Sequence, residues 1–249
     1  MEQIVRSHIQ MPKMILKNFH NANNELFYYD YENKKISKGH AKTLYREEGY
    51  YSKKVEDFLG NKIENPLKKL ISFLQNTNFE DGETPPAGYE ELAFNYIYSL
   101  LSRAPSMVRE INRNSAFLQL LTETDRHYIA AHDALIMAKE RKLLKEFNVF
   151  FLSNTSSEPL VLPTGGIIQC GERLICPVTP WRAIVFDKCA MPKEEEKTII
   201  RLYEVTSIDT IKALNILAFK HESKHDRKYL VASSRQQLEK IVDAVQQSV

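Results

Sequence analysis

The chain has 249 residues, 43% hydrophobic and 27% charged, with a formal net charge of +2. Its length and composition suit one sizeable buried core, and its apolar runs fall far short of the roughly 20 residues that span a bilayer. The charge is too small to announce a nucleic-acid or membrane partner by itself.

Cys170, Cys176 and Cys189 are odd in number and lack a Cys-x-x-Cys spacing, which points to reduced structural thiols, not a disulfide frame or zinc ribbon. The opening Met1-Glu2-Gln3 has neither the basic start nor the apolar run of a secretory leader, so a cytoplasmic location is expected.

In chain order, His8 and Pro12 lead into a short helix. A polar turn from His20 to Asn24 and two strands flanking Tyr31-Glu32-Asn33-Lys34 follow. Residues 42–52 carry Tyr45, Tyr50 and Tyr51 and end in a short strand or turn. From Val55 the apolar period becomes helical, through Phe58, Leu59, Ile63, Leu67, Leu70, Ile71 and Leu74, with an interruption or restart at Asn65-Pro66. Residues 76–88 form an exposed loop. A helix from Tyr89 carries Leu92, Ala93, Tyr96, Ile97, Leu100 and Leu101 on one stripe and is ended or kinked at Arg103-Ala104-Pro105. A further helical stretch reaches about residue 146, which makes 55–147 a central helical region.

At Asn148 the period changes again. The runs 149–152, 160–162, 167–168, 174–175 and 183–186 are short β-type segments punctuated by proline and glycine, as in a meander of antiparallel strands. Lys193-Glu194-Glu195-Glu196-Lys197 is a charged turn. A helix over 208–222, a strand at 229–232 and a closing helix from Gln236 complete the chain. The sum predicts one α+β domain over 1–249. In it an N-terminal β-hairpin and C-terminal antiparallel strands form one mixed sheet packed on the central helices.

A set of landmarks in this order resembles the family known as domain of unknown function 4238. They are His8 before Pro12, Ile15-Leu16-Lys17-Asn18-Phe19, Leu26-Phe27-Tyr28-Tyr29-Asp30, Arg103-Ala104-Pro105, Pro177-Val178-Thr179-Pro180, and Asn215 ahead of Tyr229-Leu230-Val231-Ala232. The likeness covers nearly the whole chain. It implies no particular reaction; it implies a bacterial or phage setting and a defence or conflict role. Two positions depart from the family pattern. His8 lies four residues before the proline instead of three, and Ser157 stands where an aspartate is usual in the step 156–159.

Four constellations bear on chemistry. His221-Glu222-Ser223-Lys224-His225 matches the metallopeptidase pattern in which two histidines one helical turn apart hold zinc and the glutamate activates its water. A polar helix end beside the C-terminal dipole is the plainer account, and no cofactor is expected. Asp125-Arg126-His127 and His132-Asp133 suit ordinary surface residues, because His127 and His132 face about 140° apart on a helix. Basic groups that include Arg109 and Arg113, with tyrosines such as Tyr28, would suit phosphate tracking and base stacking, whereas interspersed acids suit a solvated face. Finally, His8, Arg103 and Asn215 lie at element ends where a packed domain could gather them into one catalytic cleft, with Arg103 gripping a phosphate or carboxylate. The alternative has Arg103 capping its helix and Asn215 tying a loop to the sheet. The expectation is a protein that binds or acts on a phosphate-bearing ligand such as nucleic acid. A non-enzymatic module recognising a host or phage protein is the alternative, and a zinc peptidase is third.

Overall fold

The computed structural model describes residues 6–8, 10–48, 50–77, 85–103, 123–140, 144–188, 202–220 and 228–247. In chain order its elements are β1 (Arg6–His8), α1 (Lys13–Asn18), β2 (Leu26–Asp30), β3 (Lys35–Gly39), β4 (Arg46–Glu48), α2 (Lys53–Leu59), a π-helical turn (Gly60–Glu64), α3 (Asn65–Asn76), α4 (Tyr89–Arg103) and α5 (Glu123–Glu140). There follow β5 (Asn148–Asn154), β6 (Ile168–Cys170), β7 (Arg173–Thr179), β8 (Arg182–Asp187), β9 (Leu202–Val205), α6 (Ile208–Lys220), β10 (Tyr229–Ala232) and α7 (Arg235–Gln246).

The runs 149–152 and 183–186 are apolar at every position, and a strand sends successive side chains to opposite faces, so such runs need cover on both sides. They receive it. Val149, Phe151, Ile184 and Phe186 enter one buried cluster with α1, α3 and α4, while Phe150, Leu152, Ala183 and Val185 enter a second with α6 and α7. Phe94 of α4 meets Phe186 edge-on at 5.3 Å, and Ile211, Leu214 and Ala218 of α6 cover the other face. Each such apolar side chain contributes about 1.5–3 kcal/mol when fully buried.

The fold is α+β, as its sequence pattern indicates. The N-terminal hairpin and the strand at 229–232 do pair, in the antiparallel sheet β10-β2-β3. The meander does not extend that sheet. It forms its own five-stranded sheet, β6-β7-β8-β5-β9, and the segment between β5 and β6 meets the first sheet at a bridge in which Leu162 and Val231 exchange backbone hydrogen bonds at 2.8 and 2.9 Å. The run 160–162, expected as a strand, supplies only that bridge. β9 was not expected, because its four residues are short and alternate with a glutamate, and its parallel pairing to β5 depends on a distant partner. β1 and β4 form a separate two-stranded ribbon.

Within the expected helical region α2, α3, α4 and α5 are helical, whereas the expected break after Arg103 and the stretch 104–122 lie outside the described residues. Ser52 caps α2 by accepting from the Val55 amide, and Leu67, Leu70, Ile71 and Leu74 give α3 one buried face. The interruption expected at Asn65-Pro66 is a widening. Pro66 lacks an N–H and crowds the carbonyl four residues back, and the ladder opens into the π-helical turn just before it. Gly166, at φ +72°, sits where an added Cβ would lie 2.9 Å from Leu100 and Met11, so only glycine lets the 163–166 turn close on α4. Among the described residues no helix is long and apolar enough to cross a membrane.

Candidate functional site

Arg103, Asn215 and Tyr28, singled out by pattern, are consumed by the fold. Arg103 ends α4 with its side chain 3% exposed, and its Nη2 donates to Glu64 Oε1 at 3.0 Å. The π-helical turn delivers Glu64 to that point. Burial pushes the Arg103 pKa down, but the carboxylate of Glu64 and then Tyr51 outweigh it and hold the guanidinium charged. The hollow around Arg103, lined by Tyr51, Ser102 and His127, holds about 10 Å³, which admits one water at most.

Asn215 is buried on α6. Its Nδ2 donates to Pro159 O at 2.9 Å and its Oδ1 accepts from the Val161 amide at 3.0 Å. It is therefore a loop tie. The hollow that it borders, lined also by Lys212 and Ile241, shares no residue with that of Arg103. The expected common cleft of His8, Arg103 and Asn215 does not form. The physical reason is the two-sided sheet: α4 packs on one face and α6 on the other. His8 pairs through its backbone with Arg46 in the separate ribbon.

Tyr28 is half-buried, edge-on to Tyr229 at 4.8 Å and close over Gly39, so it packs where base stacking was expected. His127 is buried against Tyr50 and Tyr51, with ring centroids 4.5 and 5.1 Å apart, whereas His132 is exposed. Arg109 and Arg113 lie outside the described residues, as do His221, Glu222 and His225. Among the described residues no group of three or more His, Cys, Asp or Glu side chains could hold a metal.

A different constellation forms at the turn between β7 and β8. The Trp181 amide donates to Thr179 Oγ1 at 3.0 Å, and Pro180 O accepts from the Leu160 amide at 2.9 Å. The turn thus fixed carries Trp181, the chain's sole tryptophan, with 42% of its surface exposed. Beside it the Arg182 guanidinium is pinned by two carbonyls: Nε donates to Leu74 O at the end of α3 at 3.0 Å, and Nη1 to Trp181 O at 3.1 Å. Burial lowers the Arg182 pKa, yet a guanidinium remains protonated at neutral pH.

Trp181 and Arg182 border an open hollow of about 510 Å³ that is completed by Asn18, His20, Gln75, Asn154, Thr179, Pro180 and Ser233. That volume lies inside the roughly 300–1,000 Å³ typical of small-ligand sites. Among the described residues its lining contains no carboxylate. Its walls come from the ends of α1 and α3, the β7–β8 turn and the residue that follows β10.

Several lining groups are already engaged within the chain. Asn18 gives its Nδ2 to Val178 O at 2.9 Å, which leaves Oδ1 as an acceptor. His20 Nε2 accepts from the Ala41 amide at 3.2 Å; that nitrogen must be unprotonated, and Nδ1 carries the proton of the neutral ring. Burial first, then the charges of His40 and Lys17, push the His20 pKa below its ordinary value and reinforce that neutral form. Asn154 is spent internally: Nδ2 donates to Glu158 O at 2.8 Å and Oδ1 accepts from Ser156 Oγ at 2.7 Å. The described lining thus brings together a guanidinium, a neutral imidazole, polar amides and a flat indole.

The sequence carried one signal for this site, a lone tryptophan in a Pro-Trp-Arg turn between two apolar runs. The other lining residues come from stretches that only the fold brings together. Compared with protein-family models, curated proteins and solved structures, the chain has no match.

Proposed function

We propose that this chain binds a phosphate-bearing ligand that also carries an aromatic ring, of the nucleotide or single-stranded nucleic-acid kind, in the hollow beside Trp181. The observation that carries the proposal is an indole 42% exposed at the rim of a hollow whose lining includes Arg182 and His20 and, among the described residues, no carboxylate. An exposed indole is a stacking platform for a base, worth about 1–3 kcal/mol per base. A pinned guanidinium supplies charge-assisted hydrogen bonds to phosphate, each worth about 1.5–3 kcal/mol. His20 adds a neutral donor, and Asn18 and Gln75 add amide groups of the type that reads a base edge.

The assignment to the domain of unknown function 4238 family, resting on the ordered landmarks alone, is part of the proposal, and so is a bacterial or phage defence setting. The family-like step 177–180 leads into the turn that carries Trp181.

The test is fluorescence anisotropy of a short labelled oligothymidylate or oligouridylate at low salt. Trp181→Ala and Arg182→Gln should each weaken binding by about 1–3 kcal/mol, some 5- to 150-fold. Equal binding by both variants, or no binding of either oligonucleotide or of free nucleotides, would refute the proposal.

A further inference from the structure

On the opposite side of the loop 155–163 lies a second concavity, the groove between α6 and α7. Its floor is apolar, made by Ile216, Ile241 and Ala244, and its rim carries Lys212, Lys240 and Glu158. We infer that this groove docks an acidic amphipathic helix of a protein partner, with one large apolar side chain seated between Ile216 and Ile241 and carboxylates meeting the two lysines.

Size separates a peptide anchor from a small ligand. The groove encloses about 260 Å³, below the roughly 300–1,000 Å³ of ordinary small-molecule sites but ample for a single leucine or phenylalanine side chain. Two side-by-side helices with an apolar furrow accept a third helix through residues at i, i+3, i+4 and i+7.

Rigidity favours docking. Pro159 O accepts from both Asn215 Nδ2 and Gln237 Nε2, and Val161 donates to Asn215 Oδ1. The loop at the groove's end is therefore fastened to α6 and α7 alike, so a partner meets a preformed floor and little ordering cost is incurred on binding.

Charge selects the partner's chemistry. Two ammonium groups face one carboxylate across the apolar floor. Among the described residues Lys212 pairs only with Asp209, at 3.8 Å, and that carboxylate is 94% exposed, an arrangement of little worth in water. Lys240 has no carboxylate within 4 Å among the described residues. Both cations are thus available to pair across an interface, where they set partner choice and on-rate.

The test uses a displayed library of random peptides of about 15 residues, long enough for a helix of several turns. The protein is the full chain. Selection should enrich sequences with leucine or phenylalanine at helical spacing flanked by Asp or Glu. Lys212→Glu with Lys240→Glu should lose the selected peptides by about tenfold or more and gain their Lys-flanked counterparts. Both lysines are exposed, so the doubly reversed chain should melt like the parent, and Trp181→Ala should bind the same peptides unchanged. Three results would overturn the inference: no enrichment, enrichment of sequences without acids, or binding indifferent to the reversal. Concentration-dependent dimerisation abolished by the same reversal would also overturn it, because a second copy of this chain would then occupy the groove.

Discussion

Trp181 and Arg182 stand next to each other, yet one faces water and the other is held by carbonyls of two different elements. This pairing makes the hollow a site with a fixed cation and an open aromatic platform. His20 sets its pH behaviour. Its pKa is depressed in the folded chain, so proton uptake favours the unfolded state; the associated stability is present above pH about 6.5 and lost as pH falls through the lower, folded value. Thermal melts between about pH 7.5 and pH 5 should show that loss, and His20→Gln, which keeps an acceptor for the Ala41 amide, should flatten it. The buried pair behaves differently. Glu64→Ala removes the carboxylate paired with a guanidinium whose side chain is 3% exposed and should cost about 3–5 kcal/mol in chemical denaturation. Removing both partners with Arg103→Met and Glu64→Leu should cost less than that single change. Residue types alone hid this division of labour. Arg103, Asn215 and Tyr28 are the kinds of side chain that do chemistry, but their burial and partners spend them on packing, and only coordinates reveal burial.

Among the elements, the loop 155–163 is tied by hydrogen bonds to lining residues of one concavity and contributes Glu158 to the other. Asn154 binds its beginning and lines the hollow, whereas Asn215 and Gln237 bind its middle beside the α6–α7 groove. Asn154→Ala should therefore lower stability by about 2–4 kcal/mol, since it leaves Glu158 O, the Ser156 amide and Ser156 Oγ to find other partners. It should also weaken nucleotide binding, because the Pro180 carbonyl that it touches belongs to the Trp181 turn. Element types were legible where one period ruled: the buried face of α3, the hairpin at 31–34 and the strand at 229–232 all announce themselves. Sheet membership was not. The runs 149–152 and 183–186 are apolar on both faces, which says that a strand is covered twice but not which helices cover it. β9 gave almost no local signal because its pairing comes from β5.

Across the molecule, a sheet sandwiched by helices puts α4 and α6 on opposite faces, and that arrangement separates Arg103 from Asn215, while concavities lie beside Trp181 and between α6 and α7. Overall charge bears on the ligand. The net charge is +2 and one guanidinium faces the hollow, so the slope of log K against log salt should be shallow, about −0.7 to −1.4 for one or two phosphate contacts on a single strand. A slope several times steeper would mean that cations elsewhere on the chain carry the binding. The most direct measurement is the intrinsic fluorescence of the single tryptophan during titration with adenosine and uridine monophosphates, ribose 5-phosphate and inorganic phosphate. Saturable quenching by the monophosphates, weaker effects from ribose 5-phosphate and phosphate, and loss of response in Arg182→Gln are expected. An unchanged spectrum with every nucleotide, or equal responses to ligands with and without a base, would contradict a stacked, phosphate-bearing ligand at Trp181.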